Sequence, residues 1–140
     1  MRTLLLIVGL LALAAILWDI GWSLTGLGQV MPWTLKKELA AGETPLLIDV
    51  RTPMEYRWFH IDGALNLPFG TDGAMERLAE LAAENPGRGL VIICMTGHRS
   101  PMVAWRLMKQ GLLHGEATAR NLTWGMTGWV LTGGETVSGE

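Results

Sequence analysis

The chain opens on an apolar run, Leu4 to Trp18, that carries no charge over 15 residues. A helix needs about 20 apolar residues to cross hydrocarbon. Extending the run through Leu24 reaches that length and leaves Asp19, Trp18 and Trp22 at headgroup depth, where a carboxylate and indoles are tolerated. The pattern predicts a single-pass anchor within residues 1–25. A cleaved signal peptide is the competing reading, with Ala12-Leu13-Ala14 as its small-residue site; it leaves a short h-region and an apolar new terminus. A buried core helix suits shorter runs better. Arg2 and the short N-terminal tail favour an N-inside orientation, whereas Lys36 and Lys37 pull the other way. The expectation is a membrane-anchored domain on the periplasmic side; the alternatives are secretion after cleavage, or a domain facing the cytoplasm. Residues 26–33, from Gly26 to Pro32-Trp33, read as a juxtamembrane linker.

From there strands and helices alternate, and the pattern predicts one domain over 34–133 with a flexible tail over 134–140. Thr34 to Ala41 has Leu35 and Leu39 at i,i+4 and stops at Gly42, as a short amphipathic helix does. Leu46 to Val50 is a continuous apolar strand of the sort buried on both faces. Thr52-Pro53-Met54-Glu55 is a capping box with proline at the first helical position. Ala64 to Pro68 reads as a brief strand, and Ala74 to Glu84 as a helix with Leu78 and Leu81 on one face. Leu90-Val91-Ile92-Ile93 is the most β-branched run and is taken as the central strand. Pro101 to Gln110 is a helix ended by Gly111, Ala117 to Leu122 a last strand, and Trp124 to Trp129 a closing helical turn. This order defines an α/β class: a central parallel sheet of about four or five strands, helices on both faces, plus the N-terminal hydrophobic helix.

Composition changes that picture little. The chain has 140 residues, 49% hydrophobic and 17% charged, an apolar balance that the N-terminal run partly explains. What remains after that run is enough for one core and too little for two. The net charge is −2 and no basic block occurs, which leaves nucleic-acid binding without an electrostatic footprint. A single cysteine excludes an internal disulfide, and His60, His98 and His114 lack ligand-like spacing, so neither a metal nor a cofactor is expected.

That one cysteine, Cys94, ends the central strand, at the edge of the sheet where α/β folds bind ligands. The loop Cys94-Met95-Thr96-Gly97-His98-Arg99-Ser100 runs from it into the next helix. Such a loop can turn its N–H groups toward the sulfur, with Gly97 supplying positive φ or close approach. The helix N-terminus and Arg99 add positive charge, a setting that lowers a thiol pKa. Ser100 reads first as the helix cap.

The pattern Cys-x-x-Gly-x-Arg-Ser resembles the active-site loop of rhodanese sulfurtransferases. The resemblance covers about residues 32–133: Leu47-Ile48-Asp49-Val50-Arg51 with Glu55-Tyr56, His60-Ile61-Asp62-Gly63-Ala64 through Pro68, and Asn121 to Trp129 each resemble a family signature. It implies a rhodanese-like fold and a covalent mechanism. Cys94 takes a sulfane sulfur from thiosulfate or a similar donor, becomes a persulfide, and passes it to a thiol or cyanide acceptor. Met95, Thr96, Gly97, His98, Arg99 and Ser100 then line the substrate loop. Asp49 and Arg51 brace the strand end, with Arg51 pairing Glu55, and His60 holds a turn. Phosphatases of similar fold use Cys-x5-Arg, one residue longer than the loop from Cys94 to Arg99. Met95 and Thr96 stand where thiosulfate-preferring members often carry basic residues, and Trp124 where they carry glycine. A tethered sulfur-relay or binding module without thiosulfate turnover is the alternative reading.

Overall fold

The computed structural model describes residues 1–113 and 118–139. Helix α1 spans Arg2–Leu24, followed by β1 (Gly28–Val30), α2 (Pro32–Ala40), β2 (Leu46–Asp49) and α3 (Pro53–Trp58). Then come β3 (Leu65–Asn66), α4 (Ala74–Glu84), β4 (Leu90–Ile93), α5 (Ser100–Lys109), β5 (Ala119–Leu122) and α6 (Gly125–Leu131). The five strands form one parallel sheet in the order β1-β5-β4-β2-β3, so the β-branched run is indeed the centre.

Strand side chains alternate between faces, and here they divide the core in two. Leu90 and Ile92 of β4 join Ile48, Leu78, Val103 and Leu107 on the face covered by α4 and α5. Val91 and Ile93 join Leu47, Leu35, Met126 and Trp129 on the face covered by α2 and α6. Each residue of β4 is fully buried, which is why the run is apolar without alternation. The Thr52 capping box forms as the sequence predicts.

Three boundaries differ from the sequence reading. Within the expected linker, Gly28–Val30 pairs in parallel with Arg120–Leu122 as the edge strand, and Pro32 already opens α2 at its first turn. A three-residue Gly-Gln-Val strand has no periodicity to announce it. The expected flexible tail is also tied down: Val137 and His60 exchange backbone hydrogen bonds at 2.9 Å, and Trp129 Nε1 donates to Glu135 O at 2.8 Å. The last strand begins at Ala119; Ala117 of the predicted strand, like His114, lies outside the described residues.

Helix α1 is long and apolar enough to cross a membrane by length and composition, and its apolar side chains are exposed. Its C-terminal part touches the domain. Trp22 packs against the core, and the Trp18 ring lies 5.7 Å from that of His98.

Candidate active site

Cys94 follows β4 directly and is only 1% exposed. Its Sγ accepts hydrogen bonds from the Gly97 N–H and the Ser100 hydroxyl, each at 3.2 Å. Burial pushes the thiol pKa up, but the Ser100 hydroxyl and the N–H groups of Ser100, Arg99 and Thr96 outweigh it, and the net shift is downward. The sulfur thus sits in a dry setting where hydrogen-bond donors favour its anionic form, and among the described residues no basic side chain bonds to it.

The loop takes its shape from α6. Gly97 has φ +79°, and a Cβ there would stand 2.7 Å from the Trp124 backbone nitrogen. At Gly125, φ +54°, a Cβ would overlap the Cys94 carbonyl. Met126 N–H donates to Cys94 O at 2.8 Å, while Thr127 donates both N–H and hydroxyl to Met95 O at 2.9 Å. Between the two glycines sits Trp124, with φ 61°, a bulky residue in a conformation that side chains rarely adopt. Its ring meets Trp33 edge to face at 6.0 Å. With Thr96, Thr127 and Leu131 it walls an apolar groove of about 280 Å³ beside the loop. A larger depression of about 570 Å³ opens beside Pro45, Gly89 and Thr118, which precede β2, β4 and β5, and so lies at the opposite sheet edge.

Two pairings differ from expectation. Arg51 does not reach Glu55. Both Asp49, the last residue of β2, and Arg51, two positions beyond it, are wholly buried and pair at 2.7 Å. The guanidinium also donates to Phe59 O at 2.6 Å and lies over the Phe59 ring. Glu55 instead takes Arg99, at 3.0 Å. Burial raises the Glu55 carboxyl, but the Thr52 hydroxyl and N–H and the Arg99 charge bring it down to about 2. Arg99 is the one guanidinium of the loop, and its charge is thus half spoken for.

Ser100 is also not the cap. Arg99 occupies that position without a side-chain cap bond. Ser100 is inside the first turn and fully buried, so its hydroxyl points down to Cys94 and to Asn121 Oδ1, 2.6 Å away. Thr96 and His98 are exposed and bonded to each other, Thr96 Oγ1 to His98 Nδ1 at 2.9 Å, and Met95 is half buried against the α2–α6 core. His60 stands apart from the sulfur's bonding partners. Its Nδ1 lies 2.9 Å from Tyr56 O and its ring stacks on Tyr56 at 3.7 Å, which fixes the turn after α3.

The arrangement thus unites Cys94, Gly97, Arg99 and Ser100 and leaves Asp49, Arg51 and His60 as braces. Two contributors were not anticipated, Asn121 and, behind it, Gln29. Polar residues near the carboxyl ends of β5 and β1 are their only signal.

The comparisons agree with this geometry. Residues 32–132 match the model of the rhodanese-like domain, and the chain belongs to that family. A sulfurtransferase of Allochromatium vinosum is 35% identical over 100 residues, 71% of this chain and 85% of the relative. A probable adenylyltransferase/sulfurtransferase, MoeZ, of Mycobacterium tuberculosis is 34% identical over 100 residues, 71% of this chain. Here the chain spans 24% of the relative's length. Among solved structures, thiosulfate sulfurtransferase from Pseudomonas aeruginosa superposes with a TM-score of 0.74 at 22% identity, covering 90% of this chain and 23% of that one. That last likeness speaks for the fold alone.

Proposed function

We propose that the protein takes a sulfane sulfur onto Cys94 and delivers it to a thiophilic acceptor. The observation that carries this reading is the buried sulfur held by the Gly97 N–H and the Ser100 hydroxyl, with its pKa below the ordinary thiol range. In the first step the thiolate attacks the outer sulfur of thiosulfate or a similar donor. The donor's S–S bond breaks, sulfite leaves with the electron pair, and the charge ends on the terminal sulfur of the persulfide. In the second step cyanide or a thiolate attacks that terminal sulfur. The Cys94–S bond breaks and the thiolate returns, leaving thiocyanate or a new persulfide. Loop N–H groups stabilise the anion in each state, as an oxyanion hole does for oxygen.

Incubating the full chain with thiosulfate and weighing it intact tests this. One added sulfur, absent in Cys94→Ser, is the expected result. No adduct and no cyanide-dependent thiocyanate would sink it. The full chain matters, because trimming at residue 32 would remove β1 from the sheet.

One observation favours a second reading, a relay fed by a persulfide. Arg99 is paired with Glu55, and Met95 supplies no charge, so a dianionic donor finds little free cation in the loop. An adduct from an alkyl persulfide but none from thiosulfate would select it.

For location, we infer that α1 anchors the domain in a membrane with the catalytic part on the periplasmic side. Its length, apolarity and Trp18–Trp22 pair support the anchor, and Arg2 at its N-terminal end favours that side. Removal of residues 1–25 in the mature protein, or release from membranes by mild salt, would contradict it.

A further inference from the structure

The Ser100 hydroxyl has one proton and two acceptors in reach, Cys94 Sγ at 3.2 Å and Asn121 Oδ1 at 2.6 Å. With the Asn121 oxygen turned to Ser100, the shorter bond takes the proton and the sulfur faces a lone pair. The far side of Asn121 argues otherwise. Its Nδ2 lies 2.8 Å from Gln29 Oε1, which also has Thr123 Oγ1 at 3.2 Å. That arrangement leaves Gln29 Nε2 buried and, among the described residues, without a partner.

The oxygen and nitrogen ends of an amide have the same shape and are told apart only by their partners. Turning both amides over together keeps every contact and puts the Gln29 oxygen, the less costly group to leave unpaired, where the orphaned N–H stood. Gln29 Nε2 then donates to Asn121 Oδ1 and Thr123 Oγ1, and the orphaned donor is gone. Asn121 Nδ2 donates to Ser100 Oγ, whose proton is released to the sulfur.

We propose that Asn121, oriented by Gln29, is a positioning residue that commits the Ser100 hydroxyl proton to the Cys94 sulfur. It acts through Ser100 and touches no substrate. The relay runs from edge strand β1 through β5 to the first turn of α5. Around it stand the Arg99–Glu55 pair, His98, the buried Asp49–Arg51 pair beside β4, and Arg120 paired with Glu38 on the neighbouring positions of β5 and α2. Among the described residues none of these is hydrogen-bonded to Sγ, so Ser100 is the side chain through which its ionisation is set.

The inference rests on Cys94 acting as an anionic nucleophile, but its test needs no sulfur donor. Cys94 is the single cysteine, so ultraviolet thiolate absorbance of the full chain, with Cys94→Ser as blank, titrates one group. Ser100→Ala should raise its pKa by about one unit, a tenfold loss of thiolate below the midpoint. Gln29→Glu accepts but cannot donate; it pins Asn121 Nδ2 to itself, turns Oδ1 to Ser100 and should also raise the pKa. In the Ser100→Ala background the Gln29→Glu shift should shrink to less than a third, because the proton it diverts is no longer there. A shift that persists in full would mean plain charge repulsion and overturn the proposal, as would an unchanged or lowered pKa in Ser100→Ala. Should a variant fail to fold, Asn121→Ala decides by sign: a rise in pKa supports the relay, whereas an unchanged pKa or a fall would overturn it, a fall meaning that the asparagine oxygen had been holding the proton. Failure of thiosulfate to load Cys94, with these titrations intact, would refute the donor and leave the relay standing.

Discussion

Replacing Gly97 by alanine isolates what the loop's shape is worth. The new Cβ must adopt φ +79°, a left-handed conformation that costs an L-residue about 1–2 kcal/mol. It must also sit 2.7 Å from the Trp124 nitrogen and 3.2 Å from its Cα, both backbone atoms of a segment tied to the loop by hydrogen bonds. Overpacking of that kind adds about 1–3 kcal/mol. Gly63 is the natural control: its φ is +76°, but a Cβ there meets nothing within 4 Å. Gly63→Ala should therefore cost about 1–2 kcal/mol and Gly97→Ala about 2–5 kcal/mol. Urea denaturation of both variants in the same detergent measures the difference, read as a change of midpoint at constant slope. Gly97→Ala should further raise the Cys94 pKa, since the Gly97 N–H is one of the sulfur's donors. Equal destabilisation by the two substitutions would show that Trp124 yields freely, and the claim that α6 shapes the loop would fall.

Asp49→Asn should cost about 3–5 kcal/mol in the same assay, because it strands the fully buried Arg51 charge; a loss below about 1 kcal/mol would place compensation elsewhere. Glu55 gives a pH signature. Its carboxyl is lowered from 4.5 to about 2 on folding, so the stability it contributes is present above pH 4.5 and fades as the pH falls toward 2. Acid titration of stability should lose part of its slope in that window in Glu55→Gln, and an unchanged slope would count against the Arg99–Glu55 pair.

The sequence made the large periodic pieces legible for physical reasons. Leu90–Ile93 must be apolar on every residue because both its faces are covered, and Ala74–Glu84 must alternate at helical spacing because one face meets water. Thr52 and Glu55 advertise a reciprocal cap within four residues of each other. What stayed hidden is made of contacts remote in the chain. Gln29 and Asn121 are 92 positions apart, and β1 exists only because β5 offers it an edge. The expected Arg51–Glu55 pair gives way to one the motif does not announce: the buried Arg51 folds back on Asp49, which leaves Glu55 for Arg99. Ser100 looked like a cap because such residues precede helices; lying one position later reverses the direction of its hydroxyl. Cys94 itself is readable because its surroundings are local, seven consecutive residues running from the end of a strand into the first turn of a helix.

The bonds from Met126 and Thr127 to the carbonyls of Cys94 and Met95 have a consequence for reactivity. A peptide plane whose oxygen is fastened on the outside cannot rotate, so the first planes of the loop are locked dipoles. Charge arriving on the sulfur, or moving one atom outward from it, then meets a field that is already oriented, and no reorganisation energy is spent turning it. The same fastening sets the loop's length from without. An inserted residue would pull the Cys94 or Met95 carbonyl off its donor on α6, so enlarging the cradle for a bulkier anion requires rebuilding a helix whose donors lie 32 residues away in the chain.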